Sequence, residues 1–201
     1  MIQLLACLAL LQDPDVYVEK ATGLRFGEKY GTLTRGDIHD YAKEGQSHLG
    51  VSIQYSLRDE EGKKIMNLNV YVYDFGLKKI PDGADSETIK KQFEQVKGDV
   101  ASQKGPKGWH SVKHVADGRA KLGDHKGAPA ALRSEFETTL KEDGPAMGSL
   151  IYLLGHRNRF VKVRVTCLKE AMKTCAEEYE RLLADLGRQI KPPPGSKRSE
   201  E

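Results

Sequence analysis

Asp37 and His39 stand two positions apart with Asp40 adjacent, so on an extended strand a carboxylate and an imidazole share one face. That pair could meet a metal ion or polarise a water, which makes Asp37 and His39 the candidate metal or hydrolytic residues of this chain. The plainer reading is the solvated side of a hairpin strand, which alternation alone predicts. His110 and His114 share a strand face, yet four positions separate their backbones by roughly 13 Å, too far to chelate one ion without a bend. Asp124-His125 and His156 lie in or beside Gly-containing turns. No Gly-rich phosphate loop, HExxH, CxxC or Gly-x-Ser-x-Gly string occurs, and the expectation is a protein that is not an enzyme and needs no cofactor.

A second group of candidates is aromatic and basic. Tyr71, Tyr73 and Phe75 fall on one strand face, and Tyr152 lies in a later hairpin. Together they could line a cleft for an apolar ligand or partner segment. Lys162 and Arg164 oppose the valines of their strand and could present a basic patch to an acidic partner. The plainer readings are packing beneath a helix for the tyrosines and solvation for the two cations.

The elements that position these residues are legible from period. Val161, Val163, Val165 and Cys167 alternate with Phe160, Lys162, Arg164 and Thr166, the pattern of a half-buried antiparallel strand. Met172, Cys175, Tyr179, Leu182, Leu183, Leu186 and Ile190 then recur at helical spacing and require an apolar surface, for which the adjacent sheet face serves. Upstream, residues 17–26 read as a strand pair broken at Gly23. Residues 33–41 and 49–57 form a hairpin, and residues 65–75 a central strand with bulk on both faces. Asp85 or Ser86 caps a helix whose seam is Ile89, Phe93, Val96 and Val100. Residues 109–115, 119–122 and 131–140 complete the strands, the last with Leu132, Phe136 and Leu140 on one parity. Strands, helix, strands, helix make one α+β domain over residues 16–190, an antiparallel β-sheet flanked by helices.

Composition sets limits on function. The chain has 201 residues, 38% of them hydrophobic and 30% charged, enough for a proper core. Lys+Arg 32 against Asp+Glu 29 leaves a net charge of +3 with the signs interspersed, which argues against nucleic-acid binding. Residues 191–201 are Pro-rich, basic and then acidic, and read as a disordered tail. Residues 1–11 are apolar except for Gln3, and polarity changes abruptly at Gln12, so residues 1–12 resemble a secretory leader. Leu4, Leu5, Ala6 and Cys7 resemble a lipoprotein cleavage box in which Cys7 would carry the lipid, although few residues precede it. An N-terminal anchor is then the only expected membrane link. Cys167 and Cys175 fit the apolar stripes as reduced core cysteines, and in an oxidising compartment a disulfide between them stays open.

Three strings, Gly23-Leu24-Arg25-Phe26, Val70-Tyr71-Val72-Tyr73-Asp74 and Arg159-Phe160-Val161-Lys162-Val163-Arg164, together with the strand order, resemble the PsbP/DcrB-like family of small α/β sandwich proteins. The resemblance implies an antiparallel sheet between helices and a bacterial envelope member without catalysis. The expected function is an exported, extracytoplasmic binding or assembly factor whose partner is a protein or a small apolar ligand. Two alternatives stand beside it. One is a metal-binding protein or metal-dependent hydrolase using Asp37 and His39. The other is a cytoplasmic trafficking adaptor of the same fold, for which residues 1–11 would pack into the core.

Overall fold

The computed structural model describes residues 15–105 and 108–190. The leader with Cys7 and the tail 191–201 lie outside the described residues. Ten strands and two helices follow one another: β1 Val16–Val18, β2 Arg25–Gly27, β3 Lys29–Tyr30, β4 Leu33–Asp40, β5 Val51–Arg58, β6 Lys64–Tyr73, α1 Glu87–Ser102, β7 Ser111–Lys121, β8 Ala130–Thr139, β9 Ala146–His156, β10 Arg159–Leu168 and α2 Met172–Gln189. β1 and β2 form a small ribbon. The other eight make one sheet in the order β3-β4-β5-β6-β10-β9-β8-β7, antiparallel at every pairing. The fold is therefore α+β, with the strand beginning at Lys64 central as its two-sided bulk requires.

Alternation sorts the side chains onto two faces, and each face is covered by one helix. Val51, Ile53, Tyr55 and Leu57 of β5, Met66, Leu68, Val70 and Val72 of β6, and Val161, Val163, Val165 and Cys167 of β10 are buried in one cluster with Cys175, Tyr179, Leu182, Leu183 and Leu186 of α2. Each fully buried leucine contributes roughly 1.5–3 kcal/mol relative to exposure, so this cluster dominates stability. The opposite face holds Phe136, Ile151, Leu153 and Phe160 under Ile89, Phe93, Val96 and Val100 of α1. Helix α1 starts where the Ser86 hydroxyl accepts the Ile89 N–H at 3.3 Å. It lies over β7, β8 and β9, whereas α2 lies over β10 and β3.

Four local differences from the sequence expectation have physical causes. β5 begins at Val51 rather than residue 49, because Leu49 closes a short 3-10 turn and Gly50 leaves it with φ 65°, its α-hydrogen against the Val72 carbonyl where a Cβ would not fit. β6 ends at Tyr73, and Phe75 adopts φ 51° with its N–H bonded to the His48 carbonyl at 2.9 Å. The expected strands at 109–115 and 119–122 merge into the single strand β7, Ser111–Lys121, kept continuous by a bulge between His114 and Ala116 that leaves Val115 exposed. Leu140 falls beyond β8 and is 58% exposed, so it does not share the core parity of Leu132 and Phe136. Cys167 and Cys175 are buried free thiols. Burial pushes the Cys167 thiol up to about 12, in keeping with a packing role.

Candidate functional site

Helix α1 lies over β7–β9 and reaches Tyr73 of β6 and Phe160 of β10, while the polar positions of β5, β6 and β10 on the same face stay half-buried. The residues of this half-face follow from register. Ser52 pairs with Tyr71, and Tyr71 with Lys162; Gln54 pairs with Asn69, and Asn69 with Arg164; Ser56 pairs with Asn67, and Asn67 with Thr166. Three cross-strand rows thus put small hydroxyls and amides on β5 and β6 beside a cationic column on β10. Within it, Gln54 Nε2 donates to Asn67 Oδ1 at 2.7 Å.

At one end of this half-face is a pocket of about 130 Å³ lined by Tyr41, Leu49, Tyr71, Tyr73, Phe75 and Lys162. The Lys162 ammonium lies 4.1 Å from the Tyr71 ring centroid and 5.7 Å from that of Tyr73. Tyr73 is buried, stacks edge-on with Phe75 at 4.9 Å, and its hydroxyl accepts from Gln92 of α1 at 3.4 Å. Neither Lys162 nor Arg164 forms an ion pair among the described residues. Arg164 makes only long contacts, from Nε to Ser149 Oγ and from Nη1 and Nη2 to Gln103 Oε1, each at 3.4 Å. Desolvation, with the positive charge of Arg164 second and opposed by Asp99, brings Lys162 down to about 8. Burial also lowers Arg164 and raises Tyr71 and Tyr73.

The sequence candidates distribute unequally over this geometry. Tyr71, Tyr73, Phe75 and Lys162 share the pocket and Arg164 stands one row away. His39 pairs with Ser52 and so extends the Tyr71–Lys162 row onto β4. Its Nε2 reaches Glu44 at 3.1 Å and its ring meets Tyr41 edge-on at 4.4 Å. A bulge between Arg35 and Ile38 places Asp37 out of regular pairing, and Asp40 accepts the Ala42 N–H at 3.0 Å as the cap of a 3-10 turn. No group of three or more His, Cys, Asp or Glu able to hold a metal ion occurs among the described residues.

Tyr152 does not join the aromatic pocket. It pairs with Val163 and Arg133, so it lies on the α2 face beside Tyr179. There it borders a larger cleft of about 630 Å³ that also includes Lys121, Asp124, Arg133, Tyr179 and Glu180. Its arginine is already paired, with Arg133 Nη2 held to Glu135 Oε2 at 2.8 Å. The smaller pocket, with its uncompensated cation, is the better candidate. Tyr41, Leu49, Gln54, Asn69 and Gln103 are members of the site that periodicity did not single out, since turns and polar alternates carry no signal of their own.

No known protein-family profile matches the chain, and no curated protein matches it. Among solved structures, a protein of unknown function from Pseudomonas aeruginosa is similar over 84% of this chain and 92% of its own, at 7% identity and a TM-score of 0.39. A likeness that distant carries no argument about function.

Proposed function

We propose that this chain is an exported, non-enzymatic binding or assembly protein of PsbP/DcrB-like sandwich architecture that engages an acidic partner through the polar half of the α1 face. The observation that carries the reading is the Lys162–Arg164 column, two cations drawn out of water with no carboxylate paired to either among the described residues, Asp99 acting on Lys162 only through space. An unpaired, desolvated charge is costly, and a partner carboxylate arriving at that column would relieve the cost on binding. The neighbouring aromatic pocket offers a seat for an apolar group of the same partner. The neutral amides and hydroxyls of β5 and β6 leave the positive field unscreened by nearby acids.

Titration of the full chain with an oligoglutamate peptide by isothermal calorimetry at pH 7 tests the binding reading. Saturable binding is expected at low salt, weakened at high salt and lost in the double variant Lys162→Met, Arg164→Met. Equal heats for wild type and variant refute it. Export is tested by fractionating the native host and sequencing the mature N-terminus; protein found solely in the cytosol with residue 1 intact ends that part of the reading.

A further inference from the structure

We propose that Lys162 is a reactive amine that condenses with the carbonyl group of a small anionic aldehyde or 2-oxo acid and holds it as a Schiff base in the aromatic pocket. This site chemistry goes beyond the docking of an acidic partner and does not depend on it.

The amine sits in a lined concavity. Its ammonium faces the ring of Tyr71 at 4.1 Å, with Tyr41, Leu49, Tyr73 and Phe75 as the remaining walls. Lysines are activated as nucleophiles when desolvated or placed beside another cation, and Lys162 is both, since Arg164 follows it on the same strand face. It has no ion pair or hydrogen bond among the described residues to hold its proton. Asp99 acts on it only through space, and the other titratable groups facing it in the pocket are the hydroxyl-bearing rings of Tyr41, Tyr71 and Tyr73.

The pocket wall is also preset at a cost. Phe75 is an aromatic residue held at φ 51°, a backbone region that costs about 1–3 kcal/mol for a bulky side chain. The turn that holds it is pinned on three sides: the Phe75 N–H donates to the His48 carbonyl, Asp74 Oδ1 accepts the Gly76 N–H at 2.7 Å, and Asp74 Oδ2 pairs with Arg159 at 3.1 Å. Strain maintained in this way keeps the ring beside Tyr73 and over the pocket. The volume of about 130 Å³ equals roughly four waters at about 30 Å³ each, which restricts the carbonyl compound to a few non-hydrogen atoms. Its anionic group is specified by the excess positive charge of Lys162 and Arg164.

The chemistry balances without a redox partner. The neutral amine's lone pair forms the bond to the carbonyl carbon, and the carbonyl π pair moves to oxygen, which takes up a proton. Nitrogen gives one proton to solvent, the carbinol hydroxyl takes up a second proton and leaves as water as the nitrogen lone pair forms C=N, and the last N–H proton returns to solvent. The aromatic rings of Tyr71, Tyr73 and Phe75 flank the adduct on the open side of the sheet.

The test is reductive trapping in the full chain, with glyoxylate as probe, acetaldehyde as its uncharged counterpart and sodium cyanoborohydride as reductant, at pH 7. Peptide mapping reads every lysine in one sample, so exposed Lys64 and Lys126 serve as internal references. An amine near 8 rather than 10.5 holds about 300-fold more neutral form at pH 7, and its lower basicity returns part of that gain. Lys162 is expected to label at least about tenfold faster than the references with glyoxylate, to prefer glyoxylate over acetaldehyde, and to lose its advantage in urea. Labelling no faster than at Lys64 and Lys126 overturns the proposal, and equal rates with the two aldehydes overturn its anionic specificity. Lys162→Arg keeps the charge and removes the amine. If trapping fails while oligoglutamate still binds wild type and Lys162→Arg alike, only this inference falls; if oligoglutamate binding fails while trapping succeeds, only the docking reading falls.

Discussion

Replacing Lys162 by methionine should stabilise the folded protein, an unusual direction for a substitution at a largely buried residue. Methionine keeps the length and flexibility of the lysine stem and fills the space beside Tyr71 without a charge. Desolvation and Arg164 bring Lys162 from 10.5 to about 8, and at about 1.36 kcal/mol per pKa unit this corresponds to about 3 kcal/mol of cost below pH 8. Loss of the cation's attraction to the Tyr71 face, about 1 kcal/mol, reduces the net gain to about 1–3 kcal/mol. The pH window follows from the sign of the shift. Between about pH 8 and 10.5 the unfolded chain still binds the proton that the folded chain has released, so wild-type stability rises with pH there. The advantage of Lys162→Met should therefore be full at pH 6–7 and shrink as pH rises toward 10. Cys167 and the buried tyrosines titrate in the opposite sense at high pH, but they are common to both proteins and cancel in the difference. Urea unfolding of both proteins at pH 6.5, 8 and 9.5 measures it, with equal m-values as the control for an unchanged fold. A variant no more stable than wild type at pH 6.5, or a difference that does not vary with pH, refutes the account of Lys162 as an uncompensated cation.

Three further outcomes are expected. His156 is 5% exposed, its Nδ1 finds no partner among the described residues, and burial lowers it below its usual value; the unfolded state thus protonates first as pH falls through 6.5, so wild type should lose stability between pH 7 and 5 while His156→Gln loses less, as read by urea unfolding at both pH values. Leu186→Ala should cost about 2–5 kcal/mol because a fully buried α2 residue leaves a cavity against the β5–β6–β10 face, measured as a fall in urea midpoint. Gly50→Ala should cost about 2–3 kcal/mol, since its Cβ would meet the Val72 carbonyl at a left-handed φ; stability equal to wild type would show that the Tyr41–Gly50 loop adjusts freely and that the pocket wall is not fixed.

Which parts were legible in the sequence depended on whether a residue's placement was decided locally. β5, β6, β10 and α2 carry unbroken periods, and the structure pairs them as those periods require. Tyr152 departs from the aromatic cleft because its face is set by its hairpin and not by its neighbours. Arg157 and Asn158 both have positive φ and form a two-residue turn, which pairs His156 with Arg159 and so sets Tyr152 against Val163. The alternation of β10 puts Val163 on the core face, and counting back across that turn puts Tyr152 beside it. Asp37 and Val115 illustrate another limit. Each lies at a bulge, where one extra residue resets alternation without any change in composition to announce it. Tyr41 and Leu49 come from 3-10 turns and reach the pocket through the path of a loop.

The protein contains its own reference for an ordinary solvated half-face. Just as the α1 face has a polar half on β5, β6 and β10, the α2 face has an outer part on β8, where the alternates Arg133, Glu135 and Glu137 are charged. There Arg133 binds Glu135 at 2.8 Å and Glu137 binds Lys169 at 2.6 Å, so each charge is answered within the surface. Exposed strand positions with no task besides solubility settle into such self-neutralising pairs, each worth little but costing nothing to keep. β10 departs from that pattern at the corresponding places. Its two cations are less exposed, they have neutral amides and hydroxyls for cross-strand neighbours, and their acidic counterpart is missing from every adjacent strand. One carboxylate at position 69 or 54 would answer half of the column's charge, that of Arg164, and Asn69 and Gln54 are the uncharged forms of such a residue. Asn69→Asp should accordingly pair with Arg164, raise stability at neutral pH and abolish oligoglutamate binding together; a variant that gains stability yet still binds would separate the uncompensated charge from the site and leave the pocket alone as its basis.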